Sequence, residues 1–419
     1  MKASKTWKLW RLRVLMIFAV IGPGFITANV DNDPNGIFTY SLDGARFGYL
    51  LLWTLIPTTV ALIVVQEMAA RMGAVTGKGL SDLIREEFGF RTTFFIMLGL
   101  VAANFMNIVG EFAGIAMSLD LFGASKYVTV PIAAAVVWLM VVKGNYKSVE
   151  KIFLTASFFY VAYIIAGVMA HPAWQHAMVA TVVPPSWGAF GNKEYIYLIV
   201  ATVGTTIAPW MQFYLQSSIV EKGVTPKQYT ASRLDVILGC IFTDVVAWFI
   251  IVACAATIYV SGGKELQTAA DAAAALKPLA GNWAFLLFGA GLFNASLFAA
   301  SILPLSTAYS VSEGLGFESG VDKKFAEAPV FYWLYTVLIV LGAAVVLWPR
   351  FTVQHLLRIT VFSQFINGAL LPFILIYMLI LVNKRELMST HTNSRTFNWI
   401  AWATTILMIG LSVAAIVMS

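Results

Sequence analysis

The chain has 419 residues, of which 59% are hydrophobic and only 11% charged, with a formal net charge of +6. Soluble domains carry about 25% charged residues, so the composition excludes a soluble protein and describes a single integral membrane domain. The positive charge lies in loops, none of which holds a long basic and aromatic stretch. That excludes a nucleic-acid partner and fits anchoring at a cytoplasmic membrane face.

A membrane-spanning helix needs about 20 mostly apolar residues. With that window the sequence predicts eleven spans, at roughly 13–45, 48–72, 93–118, 127–143, 148–170, 194–220, 234–261, 282–312, 330–348, 356–382 and 396–418. The basic leader, Met1 to Arg13, runs into apolar sequence without a small-residue cleavage site, so the segment reads as retained. With the N-terminus in the cytoplasm, the inner loops collect 20 Lys and Arg, among them Lys2, Lys5, Lys8, Arg11, Arg13, Arg85, Lys143, Lys147, Lys384 and Arg385. The outer side collects only seven: Arg46, Lys126, Lys193, Lys264, Lys277, Arg350 and Arg358. The positive-inside rule therefore puts the N-terminus inside and, after eleven spans, the C-terminus outside.

The first span is interrupted by Asp31, Asn32 and Asp33, followed by Pro34-Asn35-Gly36. An aspartate at the centre of a spanning helix costs roughly 2.5–3.5 kcal/mol on insertion scales. Pro34 removes a backbone N–H and Gly36 frees the backbone. Irregular backbone at this depth is tolerated only where it is buried in protein or lines a watery cavity. An intramembrane acid there reads by default as an ion or substrate site. The sixth span is interrupted within Gly204-Thr205-Thr206-Ile207-Ala208-Pro209-Trp210-Met211-Gln212. Taken alone, Pro209 reads as a kink in a packing helix. Paired with the first break, five spans earlier, it points to two inverted five-helix repeats with the substrate held where the broken helices meet. The repeats fall at about 13–170 and 194–382, with an extra helix at about 396–418.

Between the second and third spans, Thr76 to Glu87 reads as a short amphipathic helix on the cytoplasmic face, since its glycine spacing fits no nucleotide loop. Glu67 near the end of span two is placed to pair with Arg71, four residues on. Cys240 and Cys254 fall in one predicted helix, about 21 Å apart at 1.5 Å per residue, too far for a disulfide.

The polar residues at membrane depth are few: Asp31, Asp33, Asn35, Glu111, Gln212, Asp244, Asn294 and Gln364. All offer oxygen, and His171, His176, His355 and His391 lie in loops or at span edges. Oxygen-only donors suit hard cations such as Mg²⁺, Ca²⁺ and Mn²⁺. Asn104, Asn107 and Glu111 share one face of span three. The two asparagines alone read as an interhelical hydrogen-bond seam; Glu111 makes the face a candidate site, because a lone buried carboxylate is costly. Gln212 reads equally as a packing amide or a ligand, and Asp244 as an ion ligand or the partner of a base. No nucleophile motif, zinc helix or nucleotide loop occurs, and Asp31 and Asp33 sit too close on one break to mimic a two-helix aspartate dyad. An enzyme is therefore not expected, and no cofactor is implied.

Gly22-Pro23-Gly24-Phe25, then Asp33-Pro34 and Phe47-Gly48-Tyr49, resemble the first helix of the Nramp family without a gap. Met68-Ala69-Ala70-Arg71-Met72-Gly73 with Val75 to Lys78, Glu111 with Gly114, and Ser363-Gln364 with Leu371-Pro372-Phe373 resemble its second, third and tenth helices. The resemblance covers most of the chain. It implies the eleven-helix form of the amino-acid/sodium symporter fold and transport of divalent metal ions.

The departures from the family pattern are specific. Asp33-Pro34-Asn35-Gly36 stands where the family has Asp-Pro-Gly-Asn, and Ala208-Pro209-Trp210 where it has Met-Pro-His. Ile108 stands in place of an acid, and the ninth span lacks the family's basic residues. This combination looks like the Nramp-related magnesium transporters. Mg²⁺ gives up water reluctantly and keeps several waters. Ala208 and Gly36 in place of ligands are expected to leave it room, with Mn²⁺ accompanying it.

The sequence thus predicts an all-α integral membrane transporter of the plasma membrane, a monomer in the lipid bilayer. It is expected to carry hydrated Mg²⁺ and also Mn²⁺ by alternating access, without proton coupling. Asp33 is the main charge and Glu111 a second acid at the cavity. Asn35, Gln212 and Gln364 supply neutral oxygens, and Ala208 completes the site. The rivals are a proton-coupled Mn²⁺/Fe²⁺ transporter, a sodium-coupled amino-acid symporter whose substrate carboxylate Asp33 would repel, and a membrane enzyme or receptor.

Overall fold

The computed structural model describes residues 22–144, 151–152, 160–262 and 284–418. The basic leader Met1 to Arg13, the start of the first span, part of the fifth, and Lys147, Lys264 and Lys277 lie outside the described residues. The described residues form helices: α1 (Pro23–Asn29), α2 (Pro34–Phe47), α3 (Leu55–Thr76), α4 (Leu80–Asp120), α5 (Lys126–Val142), α6 (Val161–Met169), α7 (Trp174–Val182), α8 (Lys193–Thr206), α9 (Pro209–Glu221), α10 (Tyr229–Cys254), α11 (Ala284–Leu315), α12 (Pro329–Leu347), α13 (Val353–Asn383) and α14 (Arg395–Met418), with short turns between. Among the described residues eight stretches are long and apolar enough to cross a membrane, the α8–α9 pair counted as one. Taken singly, α1, α2, α5 and α6 are shorter, with 7, 14, 17 and 9 described residues, and they occupy the positions expected for spans one, four and five.

Both breaks occur where the sequence forbids a continuous helix. Val30–Asn32 make one 3₁₀ turn, and Asp33 is extended at ψ 175°. Pro34 then opens α2 at its first position, where its missing N–H costs nothing. In the second break Ile207 and Ala208 leave the helical region, with ψ 59° and 139°, and Pro209 opens α9. A residue before proline is pushed to extended geometry by the pyrrolidine ring.

The broken helices pack crosswise: α1 lies on α9, and α2 on α8. The first half of each meets the second half of the other, so the two run antiparallel, as inverted repeats require. Around them α4 packs along α11, and α13 packs on both α8 and α4. The expected amphipathic helix forms the first turns of α4, which bends at Gly89, where φ is 81°. Only glycine adopts that angle without strain. Outward-facing Val128, Ile132, Leu139, Val337, Leu341 and Ile406 are exposed, as lipid-facing side chains should be. Cys240 and Cys254 are free and buried.

Close helix approach at the first break depends on glycines of α4. A Cβ at Gly110 would strike Asn35 Oδ1, and one at Gly114 would strike Pro34 Cγ. Their absence lets the start of α2 lie against α4 beside Glu111.

Candidate metal-ion site

Asp33 ends the first break and caps α2, accepting the Gly36 N–H at 2.7 Å through Oδ1. Its other oxygen, Oδ2, accepts from Asn35 Nδ2 at 3.1 Å. The same Asn35 nitrogen donates to Glu111 Oε1. The Asp33 and Glu111 carboxyls therefore lie side by side, bridged by one amide. Both are buried, together with Asn35. Asn35 Oδ1 and Glu111 Oε2 have no hydrogen-bond partner. Two carboxyls held together with oxygens unsatisfied form an arrangement that a small dication would stabilise.

The α4 face continues the group toward α13. The Asn107 carbonyl lies 3.5 Å from Asn35 Nδ2, and Asn107 Oδ1 accepts from Gln364 Nε2 at 3.1 Å. Gln364 Oε1 accepts from Asn367 Nδ2 at 3.0 Å, and Asn107 Nδ2 donates to Asn367 Oδ1 at 3.2 Å. Asn104 instead donates to Thr307 of α11 at 2.9 Å, the seam expected of it.

The structure thus brings Asp33, Asn35 and Glu111 into direct contact and joins Gln364 to them through Asn107. Gln212 stands apart from that hydrogen-bonded group: its Nε2 bonds the Ala208 carbonyl at 3.1 Å, and its Oε1 has no partner. Ala208 is the buried cap residue of the second break. Among the described residues no three of His, Cys, Asp and Glu converge, so any ion here meets two carboxylates and neutral oxygens.

One expectation needs correction. Gly36 does not leave room for a hydrated ion, because a Cβ there would strike the Asp31 carbonyl oxygen and come within 3.1 Å of Thr205 Oγ1. The glycine is required by backbone packing of the break. The expectation of room then rests on Ala208 alone.

On the side of α10, Asp235 accepts the N–H groups of Gly22, Gly24 and Phe25, at 2.8, 2.8 and 3.1 Å, and fastens the start of α1. Glu67 pairs with Arg71 at 3.1 Å, as its spacing predicts, and Arg71 also holds the His391 and Thr392 carbonyls. At the other end a cavity of about 440 Å³ opens between α2, α8 and α13, flanked by the Arg46–Glu194 ion pair and Arg358. It does not reach Asp33.

Sequence reasoning missed Asn367, Asp43 and Asp235. Asn367 lies one turn beyond Gln364 on the same face, a signal the sequence carried. Asp43, buried against Thr202 of α8 at 2.6 Å, had no local signal, because its partner is 159 residues away.

The family described as natural resistance-associated macrophage protein-like, Nramp, matches residues 24–418. The chain belongs to the Nramp family. It is similar to the divalent metal cation transporter MntH of Ralstonia nicotianae, at 29% identity over 94% of this chain and 88% of that protein. The MntH of Klebsiella pneumoniae subsp. pneumoniae is 26% identical over 94% and 92% of the two chains. Among solved structures, the Eremococcus coleocola manganese transporter in complex with an aromatic bis-isothiourea substituted compound superposes at TM-score 0.76 and 21% identity, over 95% of this chain and 86% of that one. Mhp1, a nucleobase-cation-symport-1 family transporter in a closed conformation, superposes at TM-score 0.56 and 15% identity, over 95% and 91%. At these identities the structures show the fold: an all-helical, multi-pass membrane architecture shared with this Nramp chain.

Proposed function

We propose that this Nramp protein transports divalent metal ions across the plasma membrane, with Mg²⁺ as main cargo and Mn²⁺ accompanying it. The observation that carries this reading is the pair of buried carboxyls, Asp33 and Glu111, bridged by Asn35 at a helix break. The donors are oxygens throughout, and Ala208 offers no thioether. Mg²⁺ binds through one or two carboxylates and keeps several waters. Mn²⁺ sits at the weak end of the transition-metal order and accepts oxygen ligands. The names of the relatives, divalent metal cation transporter and manganese transporter, support the general class. They also favour a second reading in which Mn²⁺ is the principal cargo.

In our reading the protein acts as a monomer, with the N-terminus cytoplasmic and the C-terminus outside. Repeats at about 13–170 and 194–382 move against one another around the two breaks. Transport proceeds without proton coupling, since Trp210 and Ile108 replace titratable residues of the family pattern and α12 carries no basic residue.

Uptake into proteoliposomes, compared for Mg²⁺, Mn²⁺ and Ca²⁺, tests the proposal. Mg²⁺ and Mn²⁺ should compete, and Ca²⁺ should move poorly, because it requires about 6–8 oxygens. Mn²⁺ flux indifferent to millimolar Mg²⁺ would establish the second reading.

A further inference from the structure

The turn that presents Asp33 to α4 presents Asp31 to the opposite side, against α10. There Asp31 accepts from Thr243, which is followed in α10 by a second intramembrane acid, Asp244. The Asp244 carboxyl is near enough to act on Asp31 electrostatically, as is that of Asp33. Asp31 and Asp244 are both buried, at 3% and 5% exposure. Asp31 Oδ2 accepts from Tyr40 OH at 2.9 Å and from Thr243 Oγ1 at 3.4 Å. Its Oδ1 and both oxygens of Asp244 have no donor. Thr59, which lies beside Asp244, gives its hydroxyl proton to the Leu55 carbonyl at 2.7 Å.

A further oxygen in this group also lacks a partner. Asn32 is fully buried and bonds Thr243 Oγ1 at 2.7 Å through Nδ2, while its Oδ1 accepts nothing. Tyr40 OH also bonds Thr206 Oγ1 of α8 at 2.8 Å, so the group touches both broken helices and α10. Two buried carboxyls without donors are stabilised by a counter-charge, a metal or a proton.

We propose that Asp31 and Asp244 hold a second divalent-cation site, separate from the Asp33–Asn35–Glu111 group. Two carboxylates supply charge that matches a dication, and the hydroxyls of Tyr40 and Thr243 with Asn32 Oδ1 supply hard neutral oxygens. Few protein ligands and retained waters suit Mg²⁺ or Mn²⁺. The choice of a divalent ion rests on the transport reading above. The site itself rests on the unsatisfied oxygens. Asp31 and Asp33 are two residues apart, so their Cα atoms lie within about 7 Å. Ions at the two sites therefore repel, and the second to enter binds more weakly.

The test is equilibrium binding on the purified full-length protein. Mn²⁺ is titrated to millimolar concentration, and free Mn²⁺ is read from its paramagnetic resonance signal. The expected result is two bound ions in the parent, one in Asp244→Asn, one in Asp33→Ala and none in the double variant. Asp31→Asn keeps an acceptor for Tyr40 and Thr243 and should lose the same ion as Asp244→Asn. It serves where Asp244→Asn does not fold. A parent count that neither Asp244→Asn nor Asp31→Asn lowers overturns the second site. Loss of both ions in Asp33→Ala overturns it too, since the sites would then be one. If Asp33→Ala keeps both ions, the Asp33 assignment fails, while loss of one in Asp244→Asn still supports the second site.

Discussion

Asp33 has two separable roles, and a pair of substitutions divides them. It caps α2 through the 2.7 Å bond from Gly36 N–H, and it supplies one of two carboxyls to the candidate ion site. Asparagine caps a helix about as well as aspartate, whereas alanine costs about 1 kcal/mol. Asp33→Asn therefore keeps the cap, and it also relieves the confrontation with Glu111. Asp33→Ala loses the cap and strands a buried N–H. The charge matters far more to the ion. At an effective dielectric of about 20, a carboxylate roughly 4 Å from a dication gains about 8 kcal/mol gross. Ion desolvation offsets most of this. If a quarter survives, the net of about 2 kcal/mol is about 30-fold in half-saturating concentration. Both variants should thus lose about 30-fold or more of Mg²⁺ uptake below saturation, measured with an indicator dye inside proteoliposomes. Only Asp33→Ala should lower the thermal midpoint, by roughly one to two degrees for a chain of this size. Asp33→Asn that carries Mg²⁺ within about twofold of the parent would refute the argument, for the residue would then be a cap and nothing more.

Glu111→Gln keeps an oxygen for Asn35 but halves the site charge, so half-saturating Mg²⁺ should rise about tenfold with the protein still folded; an unchanged value would place Glu111 outside the binding step. Uptake of Mg²⁺ or Mn²⁺ should leave a pH-sensitive dye inside the liposomes unmoved; metal-dependent acidification above that of empty liposomes would reveal coupling. Asp235→Ala removes the acceptor for three N–H groups at the start of α1. Losing about 2 kcal/mol there favours release of the start of α1 about 30-fold. Cys240, buried beside Gly239, which packs on Phe25, should then react faster with a thiol reagent. Equal labelling in parent and variant would show that this contact is no latch.

The fold was legible because its two governing signals are local. Apolar runs of spanning length place the helices, and Pro34 and Pro209 place the breaks. The oxygen-only inventory was equally legible, since it needs only residue types. Geometry between helices was not. Nothing in the sequence shows that Gly36 faces the Asp31 carbonyl or that Asn35 reaches both Asp33 and Glu111. Those facts depend on how closely α2 approaches α4, which Gly110 and Gly114 permit from a distant part of the chain. The nearness of Asp31 to Asp244 was hidden for the same reason, since the two stand on different elements of the fold.

The spacing of the two aspartates explains why one break can serve two polar groups. Residues two apart face nearly opposite ways in helical backbone. The 3₁₀ turn at Val30–Asn32, followed by extended Asp33, preserves that opposition without committing either side chain to a helix interior. Asp33 turns to Asn35 and Glu111 of α4, and Asp31 to Thr243 of α10, the neighbour of Asp244. Each acid of the break thus faces a different supporting helix, and each of those helices carries an acid. A rotation of α4 relative to α10 about the break would change the spacing of the two pairs in different ways. Ion occupancy would then bias the position of those helices, because a dication favours whichever arrangement brings its two carboxylates together.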